Sequence, residues 1–206
     1  DAPELVDDAM RAEVRAYYEQ LESDQLLAAR LTAVGLEMPP LAELLPDTAG
    51  TYLQYHYLVN GPAEAAERAL VDDPGDGSTY SAVHAQRHPM LRRRAAELGA
   101  RDLMLVSFDE PRVVYTVGKD PDFAIDLGAS AFADRDLLQV LTDELPRVTV
   151  GEAVMVDLQP YLGAAGEPVV FVAAAVLDGR QLVGAVVAQF TVEPLDELMT
   201  TGGRWA

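Results

Sequence analysis

Two of the three histidines in the chain have a spacing that could bind a metal ion. His84 and His88 are four residues apart, and on a helix this spacing places both rings on one face, where they could chelate zinc. No acidic residue nearby in the sequence completes such a site, and the chain contains no cysteine. We therefore predict no bound metal and no cofactor. We expect His84 and His88 to have a structural role or to hydrogen-bond a ligand.

The only lysine of the chain lies among residues that could line a pocket. Lys119 follows a β-rich segment that contains Tyr115, and Asp122 and Phe123 come shortly after it. Aromatic walls with a few inward-pointing polar groups are typical of sites for small polar ligands. The pattern therefore indicates a ligand pocket. The alternative is that Lys119 pairs with Asp122 to hold the loop, while the aromatic rings fill the core.

The residues that common enzyme mechanisms require are not arranged as those mechanisms need them. A catalytic triad needs a nucleophile beside a base and an orienting acid, and no serine lies in a nucleophile-elbow motif. The acidic segment 72–78 resembles a calcium loop, but Pro74 stands at the third ligand position and Val83 at the twelfth, where a glutamate is needed. We therefore predict that the chain is not an enzyme. The alternative, a secreted hydrolase, would require a histidine-centred cleft.

Composition restricts the partners that the chain can have. Its 206 residues, half of them apolar, are enough for one large or two small domains with a core. The 34 acidic and 15 basic residues give a net charge of −19, which repels nucleic-acid phosphates and anionic lipids. We therefore predict no nucleic-acid partner. No segment has the roughly 20 consecutive apolar residues of a membrane-spanning helix, and the first residue, Asp1, indicates an excised piece or a processed product of a longer protein.

The N-terminal part of the chain reads as helical. Apolar residues recur at helical spacing over 3–34 without Gly or Pro before Gly35, which predicts one long amphipathic helix. This helix could fold against the domain as a core helix, or it could be a stalk that pairs with a second copy. Shorter helices are predicted over 41–45, from Thr48 or Thr51 to Gly61, and over 63–71, because Gly and Pro interrupt the pattern between them.

The remaining elements predict an α+β fold with a five-stranded antiparallel sheet flanked by helices. Ser78 is a predicted N-cap for the helix that carries His84 and His88. Further helices are predicted over 134–145 and 195–200. Five β-rich segments are predicted as strands: 103–108, 112–117, 151–158, 168–177 and 180–192. We expect Val154, Val156 and Leu158 on one side of their strand, and the apolar strand 168–177 to be buried on both faces.

The order of these elements resembles the extracytoplasmic Cache domains, which are PAS-like sensor modules of bacterial transmembrane receptors. Five segments carry the resemblance: YHYLVN (55–60), DDPGDGSTYSAVHAQRHP (72–89), LMLVSFDEPRVVYTVGKDPDF (103–123), VMVDLQPY (154–161) and FVAAAVLDGRQLVGAVVAQF (171–190). The resemblance covers about residues 48–200. It implies a stalk helix and connector over 1–47 and a Cache domain over 48–206. The chain is similar to the membrane-distal lobe of a double Cache module.

The resemblance also implies a function. Cache domains sense small molecules outside the cytoplasm and precede chemotaxis-receptor, histidine-kinase or nucleotide-cyclase outputs. We therefore expect an extracytoplasmic ligand-sensing domain of a membrane-anchored receptor, forming a homodimer through the N-terminal helix. The alternative is a ligand-free lobe of such a receptor, which contributes a dimer interface or contacts a periplasmic binding protein.

The ligand of a Cache domain lies over the sheet, beneath the helix and the loops around the central strands. Carried over to this sequence, that position implies seven ligand-binding residues: Tyr80, His84, Tyr115, Lys119, Asp122, Asp157 and Tyr161. Lys119 or His84 would bind a ligand carboxylate, and Asp122 or Asp157 would bind an amine. The expected ligand is accordingly an amino acid, a carboxylate or an amine.

Overall fold

A five-stranded antiparallel sheet is the centre of the fold, as predicted. The computed structural model describes residues 6–132, 134–149 and 151–192; the helix predicted over 195–200 lies outside these residues. The strands are β1 (Asp102–Ser107), β2 (Val113–Thr116), β3 (Ala153–Pro160), β4 (Pro168–Asp178) and β5 (Gln181–Thr191). Their order in the sheet is β2-β1-β5-β4-β3, and all neighbours are antiparallel. The α+β class and the strand count are therefore confirmed.

Helices cover both faces of the sheet. They are α1 (Asp8–Glu22), α2 (Gln25–Ala33), α3 (Leu41–Leu44), α4 (Thr48–Gln54), α5 (Ala65–Arg68), α6 (Thr79–Leu98) and α7 (Arg135–Gln139). Helix α4 continues as a π-helical segment, Tyr55–Val59, and α7 continues as Val140–Glu144 and a 3-10 turn, Leu145–Arg147. The main core joins α1 and α7 to one face of the sheet, and α6 covers a smaller apolar cluster on the other.

The prediction of one long N-terminal helix over 3–34 is wrong. The helix stops at Glu22, and Asp24 begins a second helix by accepting hydrogen bonds from the Leu26 and Leu27 amides at 2.8 and 3.1 Å. An aspartate in this position satisfies amide groups that otherwise lack a partner, so it favours a new helix start over continuation. Helix α1 packs Val14 and Tyr18 into the main core, which corresponds to the core-helix alternative.

Helix α6 begins where the sequence predicted. The Ser78 side chain accepts a hydrogen bond from the Ser81 amide at 3.0 Å, and Gly99, with a φ of 66°, ends the helix in the left-handed conformation. The face turned towards the sheet carries His84, His88 and Ala95, all of them buried. The helix therefore places two imidazole rings, one turn apart, directly against β2.

Two predictions about strand faces are wrong. The pairing of β3 with β4 is irregular between Val156 and Gln159, and Leu158 therefore points outwards and is 46% exposed. In β4, buried and half-buried residues alternate, with Phe171 and Ala173 in the main core and Val172 half-exposed between them. Helix α6 packs over β1 and the neighbouring part of β5 and does not cover this side of β4, so only one face of the strand is fully buried.

Candidate functional site

The candidate site is an aromatic cluster around the ammonium group of Lys119. Helix α6, strand β2, the π-helical segment and the loop after β2 each contribute to it. We call the following six residues the aromatic cluster: Tyr57, Tyr80, His84, His88, Tyr115 and Phe123. Five of them are buried and Tyr80 is half-buried. The rings contact each other in edge-on, tilted or stacked arrangements, with centroids 4.4 to 6.4 Å apart.

Lys119 is completely buried against this cluster. Its Nζ lies 4.4 Å from the centroid of the Tyr115 ring, 5.2 Å from that of Phe123 and 5.6 Å from that of Tyr57. The same nitrogen donates a hydrogen bond to the Thr116 carbonyl oxygen. Burial lowers the pKa of Lys119 from its ordinary value, and the nearby Asp102 carboxylate opposes that change. Nζ thus faces three rings in cation–π geometry, and these contacts, together with Asp102, offset only part of the cost of burying the charged form.

The tautomer of His84 follows from its backbone partner. Its Nδ1 lies 2.8 Å from the Asp72 carbonyl oxygen, which can only accept, so Nδ1 carries the proton. Burial, and then the charge of Lys119, lower the pKa of His84 to about 4, so the ring is neutral at pH 7. Nε2 is therefore an unprotonated acceptor, and it has no hydrogen-bond partner within the described residues.

His88 has the opposite tautomer. Its Nε2 lies 2.8 Å from the Ala69 carbonyl oxygen and so carries the proton, while Nδ1 lies 2.6 Å from the Tyr115 hydroxyl and accepts its hydrogen. Burial, and then Lys119, lower the pKa of this ring to about 4 as well. Both imidazoles of the aromatic cluster are consequently neutral acceptors. The acceptor of His88 is used by Tyr115, and the Nε2 of His84 suits a ligand that donates a hydrogen bond and does not suit a carboxylate.

A second polar group adjoins the end of the sheet, on the side of the main core. Asp122 is 1% exposed, and its Oδ2 accepts hydrogen bonds from the Tyr161 hydroxyl at 3.0 Å and the Gln189 amide at 3.3 Å. Burial, and then the negative charges of Asp120 and Asp102, raise the pKa of Asp122 to about 8. This carboxyl is therefore mostly protonated at pH 7.

Asp102 connects the two groups. Its Oδ1 accepts hydrogen bonds from the backbone amides of Leu103, Val117 and Gly118, at 2.6, 2.8 and 3.1 Å. These bonds close the end of β1 against the residues that follow β2. Burial raises the pKa of Asp102 in spite of them. The Asp102 carboxylate is also the charge that attracts Lys119.

Asp120 fixes the backbone of the Lys119 loop. Its carboxylate pairs with Arg68 and with Arg101, each at 3.1 Å. Arg68 also donates to the Lys119 carbonyl oxygen at 3.2 Å. Because these side chains are mostly buried, the loop is held from both sides and the position of Lys119 is well defined.

The structure brings together four of the seven predicted site residues. Tyr80, His84, Tyr115 and Lys119 meet in one place, and the Tyr80 hydroxyl donates to the Val114 carbonyl oxygen at 2.9 Å. The ion pair between Lys119 and Asp122, which was the alternative to a pocket, is not formed, because Lys119 bonds to Thr116 and Asp122 to Tyr161.

The other three residues lie elsewhere. Asp122 and Tyr161 form the second group described above, and Asp157 is exposed on β3, where it accepts a hydrogen bond from the Leu158 amide. Sequence reasoning did not assign Tyr57 or Asp102 to the site. Neither has a local signal, since both reach it through long-range contacts.

A metal ion is not implied by these residues. Within ranges 6–132, 134–149 and 151–192, no group of three or more histidine and acidic side chains is arranged to hold one. None of the helices in the same ranges is both long and apolar enough to span a bilayer. Comparisons of the chain with known protein families, with curated proteins and with solved structures found no match.

Proposed function

We propose that the chain is a PAS-like Cache sensor domain, which binds a small molecule outside the cytoplasm and belongs to a membrane-anchored signalling receptor. The observation that carries this proposal is the convergence of Tyr80, His84, Tyr115 and Lys119 on one buried cluster with unused hydrogen-bonding capacity. The arrangement offers a ligand ring faces and an open hydrogen-bond acceptor, the Nε2 of His84, and these contacts support binding.

The unused hydrogen-bonding capacity of the cluster can be counted. An ammonium group has three N–H donors, and within the described part of the chain Lys119 uses one, on the Thr116 carbonyl oxygen. The Nε2 of His84 is a buried acceptor with no partner in the same residues. A buried polar group without a partner costs about 1 to 3 kcal/mol. A ligand that supplies the missing partners recovers this free energy and binds more tightly for that reason.

A cleft beside α6 adjoins the aromatic cluster. A cleft of about 180 Å³ lies between α6 and strands β1 and β2. Its lining includes Tyr80, His84 and Tyr115, three rings that also form the wall of the cluster. A ligand that enters from this cleft displaces the wall of the cluster, so that the liganded and unliganded states differ in the position of α6. The ligand shifts the balance between the two states by its difference in affinity for them.

A thermal-shift screen tests the proposal. The purified chain is heated with amines, carboxylates, amino acids and purines, and a ligand at about 100 times its Kd stabilises the fold by about 2.7 kcal/mol. We expect the response to be lost in His84→Phe, which keeps an aromatic ring in the cluster but removes the Nε2 acceptor. Arg87→Gln, on the exposed rim of the same cleft, is the matched control and retains it.

A ligand-free structural lobe is the second candidate. It is favoured by the complete burial of Lys119, since the rings already fill the space around the ammonium. This candidate predicts no response to any compound of the screen. It also predicts self-association of the chain, which sedimentation equilibrium measures directly.

A further inference from the structure

The aromatic cluster holds the ammonium of Lys119 in the way that binding proteins hold a small cation. Three ring centroids lie within 5.6 Å of Nζ, and the nearest is 4.4 Å away. The negative faces of aromatic rings attract a cation, and cages of this kind recognise alkylated ammonium ligands. Lys119 is therefore in the position of a ligand, although it belongs to the chain.

The polar groups of the aromatic cluster and of the adjoining Thr116 carbonyl offer acceptors. The Thr116 carbonyl oxygen receives one N–H bond, and the Nε2 of His84 is an open acceptor because Nδ1 carries the proton. The Tyr115 hydroxyl gives its hydrogen to His88, so its oxygen can only accept further bonds. A cation with N–H groups matches this surface. An anion would meet lone pairs and ring faces, both of which repel it.

The backbone at Lys119 is unusual for a lysine. Its φ is 56°, in the left-handed region that glycine adopts readily and that costs other residues conformational free energy. The loop is already held by Asp120 with its two arginines. The backbone therefore favours glycine at this position, and a long cationic side chain is present in spite of that preference. We attribute its presence to the contacts that the side chain makes with the rings.

We propose that the aromatic cluster is an alkylammonium-binding site, and that Lys119 is its built-in occupant, which an external primary ammonium ion replaces. This inference names the ligand class for the sensing role proposed above and rests on that role only in its signalling consequence. When the external ion enters, Lys119 leaves the cage and its loop changes conformation, so occupancy of the site alters the structure at the end of β2.

The test uses the fact that the lysine side chain, cut at Cα, is n-butylamine. Lys119→Gly removes that group, leaves the cage unfilled and suits the positive φ. We expect n-butylammonium to raise the melting temperature of Lys119→Gly by several degrees at saturation, with a Kd at least about tenfold lower than those of n-butanol and n-butyrate. Lys119→Met, which fills the cage with a neutral side chain, is the matched control, and n-butylammonium does not stabilise it.

Two results would overturn the cage. One is equal stabilisation of Lys119→Gly by n-butylammonium and n-butanol, which would show that the site selects only size. The other is stabilisation of Lys119→Met by n-butylammonium as large as that of Lys119→Gly, which would place the binding elsewhere. Lys119→Ala leaves nearly the same space and replaces Lys119→Gly if the glycine variant does not fold.

Replacement of Lys119 is measured in the wild-type chain by NMR. Because Lys119 is the only lysine, selective labelling gives a single lysine side chain. Because Nζ lies close to three rings, we expect the ring currents of the cage to shift the side-chain methylene signals upfield. We expect n-butylammonium to move them to the positions of an exposed lysine, and n-butyrate at equal ionic strength to leave them unchanged. Methylene signals that remain upfield at saturating n-butylammonium would overturn the replacement.

The proposal of an ammonium cage and the proposal of a sensing function can be contradicted independently of each other. Binding of n-butylammonium to Lys119→Gly, without any response of the wild-type chain to the ligand screen, would support the cage and contradict the sensor. A wild-type response to an anionic ligand, with no selectivity in Lys119→Gly, would support a sensor and contradict the cage.

Discussion

The stacked rings of His84 and His88 carry their protons on opposite nitrogens. Their centroids are 4.4 Å apart, and each ring donates to a different backbone carbonyl oxygen, that of Asp72 for His84 and that of Ala69 for His88. The unprotonated Nδ1 of His88 accepts a hydrogen bond from the Tyr115 hydroxyl. The unprotonated Nε2 of His84 has no hydrogen-bond partner within the described residues. The acceptor character of the cluster thus depends on two carbonyl groups in the segment before α6.

This arrangement predicts the NMR spectrum of the two rings. Long-range proton–nitrogen correlation should show His84 protonated on Nδ1 and His88 on Nε2 at pH 7. Burial lowers both pKa values to about 4, so both patterns should persist when the pH is lowered to 5.5. The same tautomer in both rings, or protonation of either ring near pH 6.5, would contradict the hydrogen bonds described here.

Lys119 should make the stability of the chain depend on alkaline pH. Burial lowers the pKa of Lys119 below its ordinary value of 10.5. Between the lowered pKa of the folded chain and the value of 10.5 in the unfolded chain, the unfolded chain binds a proton that the folded chain does not. The free energy of unfolding therefore rises with pH across this window. Below the folded-state pKa both states hold the proton, so the free energy of unfolding is lowest there and no longer changes with pH through this group. Lys119→Met has no such group and lacks the rise.

The measurement is urea unfolding of the wild-type chain and Lys119→Met at intervals from pH 7 to 10. The difference between the two isolates Lys119 from its titratable neighbours, which are His84, His88, Asp102 and the tyrosines of the cluster. The histidines titrate below this range, and burial raises the pKa of Tyr57 to about 12. A difference that is constant with pH would mean that Lys119 keeps its ordinary affinity for protons.

Asp122 should have the opposite effect at lower pH. Its pKa is raised from 3.8 to about 8, so between these values the folded chain holds a proton that the unfolded chain has lost. The free energy of unfolding therefore falls as the pH rises from about 4 to 8, with a limiting slope of about 1.4 kcal/mol per pH unit. Asp122→Asn keeps an acceptor oxygen for Tyr161 and removes the titration.

We expect Asp122→Asn to have a higher free energy of unfolding than the wild-type chain at pH 8. At pH 4 the difference between the two chains should be smaller. Asp157→Asn removes a carboxylate that is exposed on β3, and it should change stability by less than about 0.5 kcal/mol at either pH. If Asp122→Asn destabilised the chain more at pH 8 than at pH 4, a charged and stabilising Asp122 would be indicated.

Local sequence signals were sufficient for most of the fold. Ser78 and Gly99 mark the ends of α6 because a side-chain cap and a left-handed glycine satisfy the ends of a helix. β-rich apolar segments bounded by turn residues identified the five strands. Asp24 carries the same kind of cap signal, but it lies within a continuing apolar stripe, which concealed the break between α1 and α2.

The candidate site was only partly predictable, since it depends on contacts between distant segments. The pairing of β1 with β2 and the helical spacing within α6 bring Tyr115 close to His88, and both could be anticipated. The tautomers could not be, because they depend on carbonyl groups of an irregular segment. Asp157 was a candidate only through the resemblance to Cache domains, and it lies exposed on β3, on the same side as Met155 and opposite the buried Val156.

Gly163 should be essential for the group around Asp122. It lies in the 3-10 turn Leu162–Ala164, and a Cβ at this position would be 2.5 Å from a Tyr161 ring carbon and 2.7 Å from Asp122 Oδ2. Both neighbours are buried and hydrogen-bonded to each other, so neither can move without loss of that bond. We expect Gly163→Ala to lower the free energy of unfolding by about 2 to 3 kcal/mol.

Gly128→Ala is the matched control for this substitution. Gly128 is exposed, and the Cβ of an alanine there would approach only the Asp126 Oδ1, at 3.3 Å. Urea unfolding at pH 7 should show a change below about 1 kcal/mol for Gly128→Ala.

The double variant Gly163→Ala/Asp122→Ala shows whether the overlap with Asp122 causes the loss of stability in Gly163→Ala. Removing the Asp122 carboxyl relieves its overlap with the new Cβ, so the two losses should combine to less than their sum. Additive losses would mean that the clash with Tyr161 alone accounts for the effect.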